Sequence, residues 1–422
     1  MGVLDKIACL ADPEYTAKFQ RLCGISYHSD NRVINPAIKY VSANKKSDTD
    51  LHNRKEFQEC VPELINNNNI GNGHGDSERT LVRTPRSEID RIWPHLTVFQ
   101  KVLFYVFTFA SSLGNEVFYL LFYPYVAWNM DSVVLRRTGV VWCLCMYTGQ
   151  AAKDYLRWPR PTSPPVVRLE TNFQQEFAMP STHAMSATAI PFMLAYTIIS
   201  RYEISPILVV SVAICWCLLV CLSRLYLGVH SVLDLICGVV ASFVIILLTV
   251  PYIKEFDIFL QSHPIAPLVV LGFSVALSTV CYPTQSKVSN TTKGDAVQIS
   301  SVLGGVTLGT WINYQYGFTV DKGQLFQAQI VFPTLTMIGE STLRMVIGIV
   351  ILGALRSLVK NLSIKFFSYI FNLDKPNKKH PYVETAYKFV TAYVIGFSLI
   401  FLVPYAHFLL GIDRSGYFTE VQ

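Results

Sequence analysis

The sequence predicts an all-α bundle that crosses a membrane several times, and three observations carry that prediction. Of the 422 residues, 51% are hydrophobic and only 15% are charged, a balance that points away from a water-soluble chain. Apolar stretches of about 17 to 25 residues, the length that spans a hydrocarbon core, recur from Val102 to the C-terminus. The ionisable residues that remain in this part gather at the ends of those stretches, where membrane helices tolerate charge. The net charge of +6 is modest and spread along the chain, which suits an anionic lipid surface. No nucleic-acid partner is expected.

Residues 1–91 read as a polar, largely disordered N-terminal tail. Met1 to Lys18 mixes charges with short apolar pieces, so no cleavable signal peptide is expected. The run Asn66 to Asn69, followed by Gly71 to Gly75, cannot bury enough apolar area to offset ordering. Tyr15 to Cys23 can form a short helix, with nothing in the sequence to say where it docks.

The first span, Val102–Trp128, is long enough to cross with tilt and carries Asn115 and Glu116 near its middle. A second, Val140–Leu156, is stopped by an interval, Arg157 to Met179, with Pro159, Pro161, Pro164 and Pro165. Further spans are expected at Ala184–Ile199, Ile207–Cys221, Val232–Val250, Ala266–Cys281, Val297–Ile312, Leu343–Val359 and Ala386–Leu410. Phe326 to Ile338 is apolar, short and broken by Pro333, and reads as re-entrant or as a span of its own. Seven of the ten cysteines fall in or beside apolar segments without metal-ligand spacing, and read as packing residues.

Three polar clusters stand at span ends. The first is Lys153 with Arg160-Pro161, the second Pro180-Ser181-Thr182-His183, and the third Ser223-Arg224 with His230 and Asp234. Counting crossings puts all three on one membrane face. Lys153, Arg160 and Arg224 would then gather three positive charges, which suits a dianionic phosphoryl group. His230 and Asp234 are four residues apart, so on a helix their β-carbons lie about 6 Å apart on one face. Asp234 could accept one ring proton of His230 and leave the other nitrogen as a nucleophile. His183 falls in the first turn of a helix, where N–H groups favour an anion, and could protonate a leaving alkoxide and then activate water. Singly, each of these residues is better read as a snorkelling anchor, an N-cap or a satisfied interfacial group. Their grouping is what argues for chemistry. A channel or transporter lined by the same charges would leave the His230 and Asp234 spacing without a purpose.

The order and spacing of these clusters resemble the three signature motifs of the type 2 phosphatidic acid phosphatase superfamily, except that Thr182 stands where that superfamily usually carries glycine. A Pro-Ser-Thr-His motif is similar to that of the sphingosine-1-phosphate phosphatase branch. So are Phe19 to Cys23, Leu156 to Val167, Cys221 to Tyr226 and Tyr387 to Thr391. The resemblance implies a PAP2-like catalytic core over residues 92–255, with additional transmembrane helices over 256–422. It implies a metal-independent lipid phosphatase of the endoplasmic reticulum, with no cofactor, acting on sphingosine 1-phosphate and related long-chain base phosphates. The alternative is a lipid phosphatase of the same superfamily acting on lysophosphatidate, phosphatidate or a polyprenyl diphosphate. By resemblance, His230 is the nucleophile, His183 the acid and base, and Asp234 the residue that orients the nucleophile. Lys153, Arg160, Ser181, Thr182 and Arg224 hold the phosphate oxygens. Glu116 and Glu170 are candidates for reading a sphingoid ammonium by position.

Sidedness is pulled two ways. The resemblance implies a luminal site, and a glycosylation sequon at Asn290-Thr291-Thr292 falls on the site face. Arg79, Arg83, Arg86 and Arg91 favour a cytoplasmic N-terminus, which by the same count shares the site's face. The basic stretch Lys360 to Lys379 reads as cytoplasmic, and a luminal site would then require Phe326 to Ile338 to cross.

Overall fold

The computed structural model describes residues 9–26, 92–170, 176–279, 282, 291–318 and 332–414. Its helices are α1 (Pro13–Leu22), α2 (Val98–Ser112), α3 (Glu116–Asn129), α4 (Ser132–Leu156), α5 (Thr182–Arg201), α6 (Pro206–Tyr226) and α7 (Val232–Thr249), followed by α8 (Ile253–Ser262), α9 (Ala266–Thr279), α10 (Thr291–Gln315), α11 (Leu335–Ile370), α12 (Pro381–Ile400) and α13 (Leu402–Leu409). Among the described residues there is no strand, as the all-α reading expects.

Among the described residues, five segments are long and apolar enough to cross a membrane: Thr182–Arg201, Pro206–Tyr226, Val232–Ser262, Leu335–Ile370 and Pro381–Leu409. The chain is an integral, multi-pass membrane protein. Large apolar side chains such as Leu208, Leu247, Leu268 and Val350 point outward, while charged residues turn in and find partners, as a hydrocarbon surround requires. Arg136 of α4 donates to Asp257 of α8 at 2.8 and 3.2 Å, and Asp131, which caps α4, accepts from Arg201 at 2.7 Å.

Two helices organise the packing. The first is α5, held between α4, α6 and α7; its run of Ala184, Ser186, Ala187, Thr188 and Ala189 is buried and lets neighbouring backbones approach. The second is α10, packed on α12, α9 and α4. Its polar residues face inward and return hydroxyl protons to their own helix, Ser301 to the Val297 carbonyl at 2.6 Å and Thr310 to the Val306 carbonyl at 2.9 Å. A Cβ at Gly305 would collide with the Tyr393 carbonyl, and one at Gly396 with the Val302 carbonyl, so α10 and α12 touch backbone to backbone.

Several expected boundaries move. The block Val102–Trp128 is two helices, because Gly114 and Asn115 break it and Asn115 caps α3. The helix expected at Ile207–Cys221 runs on to Tyr226 and carries Ser223 and Arg224 in its last turns. The last span divides at Phe401 into α12 and α13. The short N-terminal helix forms as Pro13–Leu22, and its place is defined. Gln20 grips the loop after α4 by accepting from the Val167 N–H at 2.9 Å and donating to the Val167 carbonyl at 2.7 Å.

One end of the bundle collects the end of α4, the start of α5, the end of α6, the start of α7, and α1. Thr292, near the start of α10, donates to Asp154 there. The opposite end collects Asn129, which accepts from Arg344 of α11, and Asn313 of α10, which donates to the Ile400 carbonyl. α10 thus ends, and α11 begins, at that opposite end. α11 returns toward the first end, where Phe371 meets Tyr382 at the start of α12. The basic stretch Lys360 to Lys379 therefore lies at the same end as α1. Arg79 to Arg86, Arg91, Asn290, and Phe326 to Val331 lie outside the described residues.

The α10 and α12 contact gives a stability test. Gly305→Val should lower thermal stability in detergent by about 1–3 kcal/mol, the cost of overpacking, measured as a fall in Tm against Gly353→Val, a position where an added Cβ meets nothing.

Candidate active site

The last turn of α4 presents Lys153, which is 1% exposed. Its Nζ donates to Glu176 Oε2 at 2.8 Å and to Thr182 Oγ1 at 3.0 Å. The helix then stops at Arg157, in the left-handed region at φ 51°, and the proline-rich loop carries Arg160 back across the end of the bundle. Arg160 donates to the Glu176 carbonyl at 2.9 Å and to the Val229 carbonyl at 2.8 Å. One guanidinium thereby ties the first loop to the residue preceding His230.

Ser181 caps α5, accepting from the Ala184 N–H at 3.4 Å, and its own N–H donates to the Asp234 carbonyl at 3.1 Å. His183 stands in the first turn, with Nε2 2.8 Å from Asn115 Oδ1. That contact suits a tautomer protonated at Nε2. Arg224 is fully buried; it donates to Glu170 Oε2 at 2.7 Å and to Ser111 Oγ. Its Nε and second terminal nitrogen have no partner among the described residues, and so can donate to another acceptor.

His230 sits in the α6–α7 loop, 1% exposed. Its Nδ1 lies 3.6 Å from Asp234 Oδ2, within ion-pair range and beyond a hydrogen bond. The same carboxylate oxygen accepts from the Ser231 N–H at 2.7 Å, and Ser231 Oγ accepts from the Asp234 N–H, a capping box that starts α7. Thr16 of α1 donates to the His230 carbonyl at 3.3 Å, so the N-terminal helix seats on this loop. Burial first, and then the charges of Arg160, Arg224 and Lys153, hold the His230 imidazole well below its ordinary value. Burial, followed by Arg224, brings Arg160 down to about 10, so it keeps its charge at neutral pH.

The three clusters predicted from spacing meet around one cavity of about 290 Å³, lined at this end by Lys153, Arg160, Thr182, His183, Arg224 and His230. Ser181 and Asp234 stand behind this lining. Of the two candidate ammonium readers, Glu116 lines the cavity and Glu170 is engaged by Arg224. Sequence reasoning missed the role of Asn115, although its position inside an apolar block was a signal. It also missed Glu176, which nothing in its surroundings marked. The arrangement offers cations, two imidazoles and a carboxylate, a set suited to in-line displacement at a phosphoryl group.

Residues 135–257 match the family model for the PAP2 superfamily. Sphingosine-1-phosphate phosphatase 1 of Mus musculus is 31% identical over 98% of this chain and 100% of its own length. Sphingosine-1-phosphate phosphatase 2 of Homo sapiens is 38% identical over 73% of this chain and 78% of its own length. A dihydrosphingosine 1-phosphate phosphatase of Schizosaccharomyces pombe is 28% identical over 49% of this chain and 51% of its own length. No solved structure matches.

The electrostatics can be checked directly. An NMR titration of the His230 imidazole should give a midpoint below the ordinary 6.5. Arg160→Gln should move that midpoint upward, because removing a neighbouring positive charge favours the protonated ring.

Proposed function

The chain belongs to the PAP2 superfamily and, within it, to the sphingosine-1-phosphate phosphatases, and from that membership we propose that it hydrolyses sphingosine 1-phosphate and related long-chain base phosphates to the free base and inorganic phosphate. His230 Nε2 attacks phosphorus in line with the ester oxygen. A nitrogen–phosphorus bond forms, the phosphorus–oxygen bond to the lipid breaks, and His183 gives its proton to the departing alkoxide. Water then gives a proton to His183 and attacks the phosphohistidine, which releases phosphate and restores His230. Asp234 balances the imidazole charge through the intermediate. Lys153, Arg160, Arg224, Ser181 and Thr182 hold the phosphoryl oxygens, whose charge grows in the transition state.

The observation that carries this reading is the meeting of His183, His230 and the three cations around one cavity. The open nitrogens of Arg224 support a phosphate ligand there. The alternative, a phosphatase for lysophosphatidate, phosphatidate or a polyprenyl diphosphate, is less favoured, since the relatives over most of the chain are named for sphingoid phosphates. We place the protein at the endoplasmic reticulum membrane on the family resemblance. Glu116, at the cavity wall, is the residue we assign to the substrate ammonium, ahead of Glu170.

His230→Ala should abolish phosphate release and the trapping of labelled phosphohistidine; survival of either would remove His230 as nucleophile. Lys153→Met should lower kcat by roughly 10²–10³, about 3–4 kcal/mol of transition-state stabilisation, and wild-type turnover should persist in a chelator. Glu116→Gln should weaken kcat/KM for sphingosine 1-phosphate more than for a glycerol lipid phosphate; equal losses would remove it as the ammonium reader.

A further inference from the structure

The cavity at the charged site continues into the bundle. It runs between α3, α4, α10, α11 and α12, and these helices turn narrow stripes toward it, as in Val140 and Cys143 on α4, Ile299 and Val306 on α10, and Ile395 and Leu399 on α12. Such spacings, three, four or seven apart, keep one helix face on the cavity. From Lys153 to Leu135, both on its wall, α4 covers about 27 Å at about 1.5 Å per residue. One leaflet offers about half of a ~30 Å hydrocarbon core, so the space is deeper than a leaflet. At the deep end stand Arg136 and Asp257, bound to each other at 2.8 Å, and both reach the cavity.

We propose that this space holds the hydrocarbon chain of the substrate inside the bundle, with the phosphoryl group at the Lys153 end and the Arg136–Asp257 pair as its floor. The proposal rests on the phosphatase reading and adds where the chain lies and which helices read it. Below the charged end the wall is mainly apolar, with Gln298, Thr307, Thr310, Arg356 and Thr391 among its polar members, and a single-chain amphiphile matches it from charged head to apolar tail. A volume of about 290 Å³ stands at the small end of ligand pockets, ~300–1,000 Å³, and favours one chain over two. Much of the wall comes from α10, α11 and α12, which lie outside the matched residues 135–257. Those helices thereby set selectivity for single-chain lipid phosphates.

The test is Val306→Trp, which fills the deep part of the space, near Leu135. Purified protein is assayed on a long-chain base phosphate and on its hexyl counterpart. The ratio of long-chain to short-chain kcat/KM should fall by roughly tenfold or more, in the range that pocket contacts with a few methylenes command. An unchanged ratio would overturn the chain site. The two readings separate through His230→Ala: if short-chain phosphate release survives that change, the phosphatase mechanism fails, whatever the ratio does. Should Val306→Trp not fold, photolabelling of the wild type decides. A long-chain base phosphate with a photoreactive group at its chain terminus should label α10 or α12, and labelling confined to the lipid-facing side of α6 would overturn the proposal.

Discussion

Three cations are packed against one another at the end of a membrane bundle, and that is possible only because each is neutralised or solvated by the protein itself. Lys153 is paired with Glu176, and Arg224 with Glu170. Arg160 gives two of its five donors to backbone carbonyls. Removing one partner of a buried ion pair costs about 3–5 kcal/mol, because the charge left behind has no water to turn to. The same bonds that make the charges tolerable also draw the α4–α5 loop onto the α6–α7 loop, so charge balance and site geometry are one arrangement. Two carboxylates against three cations leave the site net positive, which favours a ligand able to bring its own negative charge.

That arrangement explains why some of the site was readable from residue order and some was not. Lys153, His183, Arg224, His230 and Asp234 sit within a turn or two of helix ends, and the spans between them fix which end each occupies. Their meeting followed from counting. Glu176 and Glu170 lie in an irregular loop where no period constrains a side chain's direction, and their partners emerge only in three dimensions. Asn115 was visible as a polar residue in an apolar block, but its role depends on the chain turning there, and Gly114 with Asn115 ends α2 where composition alone predicts a continuous helix. The Thr182 hydroxyl, the departure from the usual glycine, is used by Lys153.

The C-terminal half was legible as membrane helices and illegible as architecture. The sequence marks α10 as a span over Val297–Ile312, but not its place in the bundle: Ser300, Ser301, Thr307, Thr310 and Asn313 along its length are buried and donate to nearby carbonyls. Hydropathy measures contact with lipid, and α10 has little. Its glycines, spaced four apart at Gly305 and Gly309, carried the better signal, since they permit the close approach to α12. That approach brings a helix from outside the matched family region against α4, where it shares the wall of the cavity.

The seat of α1 on the loop of His230 has a consequence for orientation. Through Thr16 and Gln20, both buried, α1 and the His230 imidazole are held at the same end of the bundle. Whichever compartment faces α1 would also receive inorganic phosphate released from the proposed site. Insertion of the bundle in the reverse sense would carry both across together, so the product's destination and the side of α1 are set by one and the same orientation.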